Sequence, residues 1–197
     1  MNDNPHHDDR AGQETPAPPV QYPAPLKRMS EALEAKRWIC GLAETIADSL
    51  PEPSSLLCLR AAAVIRNDLP VYHADTGRCL LPQLRIRHSA AGWIMLMLRQ
   101  IEADHEQLVI YTDEAVDLLE RIGTGQATAL ERNVAGYALR CFFEGLRRHV
   151  NWEQNVILPL AGDSLTTDDM LIIASGMERN REAPLRGSGP GGSSQTD

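Results

Sequence analysis

His149 and Glu153 stand one helical turn apart in the stretch RRHVNWEQNVILP, residues 147–159. Residues four apart on a helix differ by only about 40° of rotation, so an imidazole nitrogen and a carboxylate oxygen can reach the same ion. The same spacing also produces an ordinary histidine–glutamate contact on a wet helix face, and that is its more frequent use. The pair therefore predicts a metal site only if a further ligand converges on it.

A third candidate ligand, His105, lies on the inward stripe of the helical segment before this pair. Apolar residues in that segment recur at spacings of four and three, and His105 keeps their phase. The stripe consists of Ile94, Leu98, Ile101, His105, Leu108, Thr112, Ala115, Leu119 and Ile122. His149 and Glu153 continue a similar stripe through Leu130, Val134, Ala138, Cys141 and Gly145. All three polar side chains are therefore predicted to point into the core.

Two buried imidazoles and a buried carboxylate need partners, because an unpaired polar group in an apolar interior costs free energy. The partner is either a hydrogen-bond network among these side chains or a cation. Two histidines and one carboxylate form the ligand set of many non-haem iron sites, which leave positions open for oxygen or another small ligand. The residues alone leave both alternatives open.

The elements that must position these ligands are helices, since no segment shows the two-residue alternation of a strand. The predicted helices span residues 30–50, 54–82, 94–122 and 130–160, followed by a short helix from Thr166 or Thr167. Pro51 stops the first helix, and Pro70 and Gly77 interrupt the second. This pattern predicts an all-α fold, an antiparallel four-helix bundle with a short C-terminal capping helix.

The length of 197 residues suits one domain with two tails. Residues 1–26 are rich in proline and residues 183–197 in glycine and serine, so both segments are predicted to be disordered tails. The helical bundle is predicted to span residues 27–182 between them. A formal net charge of -8 opposes binding to nucleic acid. The sequence has neither an 18-residue apolar stretch nor a secretory signal, which predicts a cytoplasmic protein with no membrane partner.

The stretch HVNWEQNVILP, with IEADH before it and LTTDDMLIIASGMERNR after it, resembles the hemerythrin-like family of bacterial HHE domains. The segment NDLPVYHAD, followed by CLLPQLRIR, resembles the same family, so that the likeness covers about residues 29–182. It implies a four-helix bundle that holds two oxo-bridged irons. Its ligands would be a histidine from the first helix, HxxxE from the second, a histidine from the third and HxxxE from the fourth. His105, His149 and Glu153 match the third and fourth helices.

The first two helices depart from the ligand pattern that this resemblance implies. Leu33 stands where the histidine of the first helix is expected, and that helix contains no histidine. The second and fourth helices both end their motif in an apolar residue followed by Leu-Pro. At ten and six residues before the proline, the fourth helix has His149 and Glu153 whereas the second has Tyr72 and Thr76. The second HxxxE has thus become YxxxT, and the implied iron pair loses ligands on one side.

Tyr72 is a candidate substitute ligand. It lies seven residues after Ile65, in phase with the apolar face, whereas His73 is rotated from it by about 100°. Pro70 can shift that phase, so His73 and Asp75 stay open as alternatives. A phenolate binds ferric iron, but a buried tyrosine that donates a hydrogen bond is the more frequent case. The predicted metal ligands are His105, His149, Glu153 and Tyr72.

This reduced ligand set predicts a centre with one non-haem iron, a degenerate iron pair or no metal. The first hypothesis is a metal-, oxygen- or redox-linked sensor, with dioxygen or nitric oxide as small ligand and a protein as partner. The alternative is a metal-free interaction protein in which the same side chains bond to one another or to Tyr72. An iron-dependent enzyme ranks last, because no substrate pocket is legible in the sequence.

Overall fold

The computed structural model describes residues 22–182, which are helical apart from short connections and contain no β-strand. The elements are α1 Ala24–Asp48, α2 Ser55–Asn67, α3 Leu69–Ala74, a first π-helical segment Asp75–Leu80, α4 Leu81–Arg87, α5 Gly92–Gly123, α6 Ala129–Trp152, a second π-helical segment Glu153–Ile157, α7 Leu158–Ser164 and α8 Thr167–Glu182. None of these helices is both long and apolar enough to cross a bilayer. The tails predicted at 1–26 and 183–197 lie outside the described residues, apart from 22–26.

The first helix begins earlier than the sequence predicts. It starts at Ala24 rather than at Ser30, with a proline in its first turn, because Leu26 and Met29 are both buried against the core. The predicted tail therefore extended three residues too far. The buried stripe of α1 consists of Met29, Leu33, Lys36, Cys40, Ala43 and Ala47, at spacings of four and three. It places one lysine, Lys36, inside the core.

The second and fourth predicted helices each widen into a π-helical segment immediately before their Leu-Pro sequence. A proline inside a helix has no N–H and its ring crowds the carbonyl four residues before it, so the preceding turn must adjust. A π-helical turn adds one residue to that turn, and such turns are frequent at functional sites. The two segments carry Thr76 and Glu153, which both face inward.

The helices pack α1 against α6, α2 against α5 and α5 against α6, and α1 also contacts α2. One continuous apolar core lies between them, and its fully buried members include Ile39, Ile65, Leu98 and Phe142. The last helix, α8, packs on α1, α3 and the first π-helical segment. Side chains of α5 and α6, such as His105 and His149, can meet because these two helices share one interface.

The last helix starts where the sequence predicts. Thr166 and Asp169 exchange hydrogen bonds across the first turn, so that the carboxylate accepts from the Thr166 backbone N–H at 2.8 Å. Arg87 donates to the same carboxylate at 2.7 Å and holds the pKa of Asp169 at about 2. This contact anchors the start of α8 to the end of α4.

The predicted inward stripe of the fourth helix is wrong in its first two turns. Leu130 and Val134 are exposed, with 73% and 47% of their surface accessible. From Leu130 to His149 the predicted stripe turns through about 100° more than five full helical turns, so its two ends cannot share a face. The buried stripe instead runs through Ala135, Leu139, Phe142 and Leu146 to His149.

Candidate metal centre

The donor atoms of His105, His149 and Glu153 converge in the core, as the sequence predicts. The two Nε2 atoms of the histidines lie 2.8 Å apart. Oε1 of Glu153 is 3.4 Å from Nε2 of His149 and 4.0 Å from Nε2 of His105. All three donors thus face the same point between α5 and α6.

These separations fit the coordination shell of one transition-metal ion. A point equidistant from three atoms separated by 2.8, 3.4 and 4.0 Å lies about 2.0 Å from each of them, which is the usual distance from zinc or a similar ion to nitrogen and oxygen ligands. That point lies in the plane of the three donor atoms. The separations of the three donor atoms therefore match those of ligands bound to one ion.

Each of the three donor residues occupies a position that the local fold fixes. His105 projects from the middle of α5, His149 from the last turn of α6, and Glu153 is the first residue of the second π-helical segment. The side chains of His149 and Glu153 are almost fully buried, and only 13% of the His105 side chain is accessible. Gly145, one turn before His149, allows close helix contact, because a Cβ there would lie 3.3 Å from Leu108 of α5.

Glu153 also forms a buried ion pair with Lys36 of α1. The Lys36 ammonium donates to Oε2 at 2.5 Å, and the accessible fractions of the two side chains are 1% and 3%. Thr76, from the first π-helical segment, donates to Oε1 at 2.7 Å. The carboxylate is therefore held by one charged and one neutral donor, from two helices other than its own.

The electrostatics of the cluster favour a neutral imidazole at His105 and an ionised carboxylate at Glu153. Burial lowers the pKa of His105 to about 3, and the neighbouring His149 adds to that effect. Burial alone would raise the pKa of Glu153, but the Lys36 ammonium and His149 hold it well below its ordinary value. Neutral imidazole and ionised carboxylate are the forms that bind a metal ion.

Tyr72, a predicted ligand, lines a small cavity next to Glu153 together with Lys36 and Thr76. It is half-buried and makes no hydrogen bond to His105, His149 or Glu153. Burial raises the pKa of the Tyr72 phenol, and the negative charge of Asp68 adds to this, so the phenolate that would bind iron is disfavoured. The role of Tyr72 as a ligand stays a prediction.

His73 takes the inward position for which the sequence favoured Tyr72. Its ring stacks on that of His105, with 4.9 Å between centroids, and meets the His149 ring edge-on at 5.9 Å. The regular helix is interrupted at Asp68, and His73 lies four residues after the fully buried Leu69, which restores its phase. Burial, followed by the Lys36 charge, lowers the pKa of His73 well below its ordinary value.

Two ring nitrogens of this cluster have no hydrogen-bond partner within residues 22–182. They are Nε2 of His73 and Nδ1 of His149, both buried. Beside the cluster lies a cavity of ≈ 10 Å³, lined in part by Lys36, Tyr72, Thr76 and Glu153, and its volume is close to the minimum of about 10 Å³ that one water molecule requires. A water-sized ligand therefore fits next to the carboxylate.

Asp75, the other alternative ligand, is hydrogen-bonded to α8. Its carboxylate is buried, and it accepts from Asn180 at 3.0 Å and from Arg181 at 2.9 Å. Since Asp75 precedes Thr76, one π-helical segment contacts both the metal-ligand candidate Glu153 and the last helix. The site is thereby linked mechanically to α8.

The side chains present do not fit a bridged pair of irons. Leu33 is buried in the core of α1 as an apolar residue, and Thr76 offers Glu153 a hydroxyl rather than a second carboxylate. Lys36 places a positive charge against the oxygen that a second ion would need. Sequence reasoning missed Lys36, although a lysine in phase with Met29, Leu33 and Cys40 was a legible signal of a buried charge.

No protein-family model, characterised protein or solved structure matches this chain.

Proposed function

We propose that this protein is a hemerythrin-like sensor module that binds a single metal ion at His105, His149 and Glu153, with iron as the first candidate. In this proposal the protein is an antiparallel four-helix bundle. Its four helices are α1, α2 continued by α4, α5, and α6 continued by α7, and α8 caps the bundle. The observation that carries the proposal is the separation of the three donor atoms, 2.8, 3.4 and 4.0 Å, which share a common point about 2.0 Å from each.

The protein residues supply the binding and the orientation of the ion. His105 offers a neutral ring nitrogen and His149 a second ring nitrogen, Glu153 offers a fixed negative charge, and the apolar core excludes bulk water. Iron bound there would contribute a change of oxidation state and open positions for dioxygen or nitric oxide. The adjacent cavity of ≈ 10 Å³ favours such small ligands over an organic substrate.

The sensing role rests on the path from Glu153 to α8. Thr76 contacts Glu153, and the adjacent Asp75 binds Asn180 and Arg181 of α8. A change in the charge or position of Glu153 would therefore shift the first π-helical segment and with it the packing of α8. Release of α8 would expose its buried residues Met170, Ile173 and Met177 to a protein partner.

Elemental analysis of protein loaded with ferrous iron under anaerobic conditions tests the proposal. We expect no more than one iron per chain, loss of that iron in His105→Ala and His149→Ala, and retention in the control His88→Ala, whose side chain lies outside the donor cluster. Hydrogen exchange in residues 167–182 should change on iron binding. Absence of iron from the wild type, or its retention in both cluster variants, would refute the single-ion site.

A metal-free interaction protein is the second candidate, and the Lys36–Glu153 ion pair favours it. That pair, the Thr76 hydrogen bond and the contact between His105 and His149 give the carboxylate and two imidazoles partners without any ion. This candidate predicts a stable protein whose melting temperature and exchange pattern do not respond to ferrous iron.

A further inference from the structure

The two oxygens of Glu153 face different partners. Oε1 points toward Nε2 of His149 at 3.4 Å, on the side where the three donors converge. Oε2 accepts the hydrogen bond from the Lys36 ammonium at 2.5 Å. A carboxylate that bridges two ions gives one oxygen to each of them, so the ammonium stands on the side that a second ion would occupy.

No other carboxylate is free to hold a second ion on that side, among the residues that the structure describes. Asp75 lines the same small cavity as Lys36 and Glu153, but its two oxygens accept from Asn180 and Arg181. The remaining lining side chains that carry oxygen are the hydroxyl groups of Tyr72 and Thr76. Among the described residues that line this cavity, Lys36 is therefore the only one that carries a positive charge.

We infer that Lys36 is an internal substitute for a second metal ion: its ammonium neutralises Glu153, restricts the centre to one ion and weakens the binding of that ion. The inference rests on the proposed metal site and adds a residue that sets its stoichiometry and affinity. Coulomb repulsion between the buried ammonium and an incoming divalent cation, at low local dielectric, is the physical cause of the weaker binding.

Titration with Co²⁺, followed by its visible absorption and by calorimetry, tests this inference on the full chain. Wild type, Lys36→Met and Lys36→Arg are compared, since methionine keeps most of the length without the charge and arginine keeps the charge. We expect Lys36→Met to bind Co²⁺ at least tenfold more tightly than wild type, and Lys36→Arg to stay within threefold of it. Lys27→Met is the control and should leave the affinity unchanged, because it removes the charge of a lysine that is 71% exposed and pairs with Glu31.

A second variant reports on stoichiometry. Lys36→Glu removes the ammonium and sets a second carboxylate opposite Glu153, so we expect it to bind two Co²⁺ per chain against at most one in wild type. If either variant folds poorly alone, its melting temperature in Co²⁺ provides the readout. The rise on adding Co²⁺ should then be larger than in wild type, since the ion replaces the missing positive charge.

The outcomes separate this inference from the proposed function. One Co²⁺ in wild type, with unchanged affinity in Lys36→Met and one ion in Lys36→Glu, would overturn the role of Lys36 and leave the metal site standing. No Co²⁺ in wild type but tight binding in Lys36→Met would support the role of Lys36 and overturn metal binding as the native function. No binding in any of these proteins would overturn both.

Discussion

Thr76 donates a 2.7 Å hydrogen bond to Oε1 of Glu153, and these two residues occupy the same position in two related segments. Each lies six residues before the proline of a Leu-Pro sequence, and each sits in a π-helical segment. At this position one segment has the carboxylate of Glu153, and the other has the hydroxyl group of Thr76, which donates to that carboxylate. The two segments are thereby joined at the level of the candidate metal centre.

Replacing Thr76 by valine should destabilise the fold by about 1.5–3 kcal/mol, because the hydroxyl is buried and donates to a charged acceptor. Valine keeps the shape of the side chain, so the loss reports the hydrogen bond. Thr112→Val is the matched control: its hydroxyl bonds only the carbonyl of Leu108 in its own helix, and the cost should stay below about 0.5 kcal/mol. Urea unfolding of the two variants measures the difference. Equal losses of unfolding free energy would show that the Thr76 hydrogen bond to Glu153 contributes no more than an ordinary helix hydroxyl does.

Lys36→Met should cost about 3–5 kcal/mol of unfolding free energy in the presence of a chelator, since it leaves the Glu153 carboxylate buried without its cation. The double variant Lys36→Met with Glu153→Gln should recover part of that loss, because no charge then remains uncompensated. Lys27→Met is the matched control. Lys27 is 71% exposed beside Glu31, and its replacement should change stability by no more than about 0.5 kcal/mol.

Stability of the metal-free protein should fall as the pH drops from 7 toward 4. The pKa of His105 is about 3 in the fold and about 6.5 in an unfolded chain. Between these values the unfolded state binds a proton that the folded state does not, so each such histidine removes up to about 1.4 kcal/mol per pH unit as acid is added. His73, whose pKa is also lowered well below its ordinary value, acts in the same direction.

Glu153 extends this acid sensitivity to lower pH. Its pKa in the fold lies below that of an unfolded glutamate, so its contribution is present above the unfolded value and is lost as the pH falls through the folded one. Unfolding free energies measured by urea at several pH values provide the check. His105→Gln should flatten the profile between pH 6.5 and 4, and a wild-type profile that is already flat in that range would contradict the buried, neutral state of these rings.

The helical content and the convergence of His105, His149 and Glu153 followed from sequence periodicity, because the ligands keep the phase of apolar neighbours close to them in sequence. Periodicity failed at Leu130, where the phase had drifted over many turns, and at Tyr72, where an interruption at Asp68 resets it. The drift at Leu130 follows from helix geometry alone, whereas the size of the phase change beside Pro70 depends on how that turn packs, which no local pattern encodes. Lys36 was missed for another reason: its partner lies 117 residues away.

Replacing Gly176 of α8 tests whether close packing holds the last helix against the first π-helical segment. A Cβ at this position would lie 2.7 Å from Sγ of Cys79, in the first π-helical segment. Gly176→Ala should therefore weaken the docking of α8 by about 1–3 kcal/mol. Gly41→Ala is the matched control, because a Cβ there meets nothing within 4 Å and alanine should stabilise that helix interior by up to about 1 kcal/mol.

The crowding between Gly176→Ala and Cys79 can be relieved without restoring the glycine. Adding Cys79→Ala removes the sulfur atom, so the double variant should be more stable than the sum of the two single changes predicts. Hydrogen exchange of residues 167–182 should be fast in Gly176→Ala and slow again in the double variant. If exchange stays slow in Gly176→Ala, then α8 does not depend on this contact. The path from Glu153 to α8 must then act through the hydrogen bonds of Asp75 with Asn180 and Arg181 and of Cys79 with Asn180.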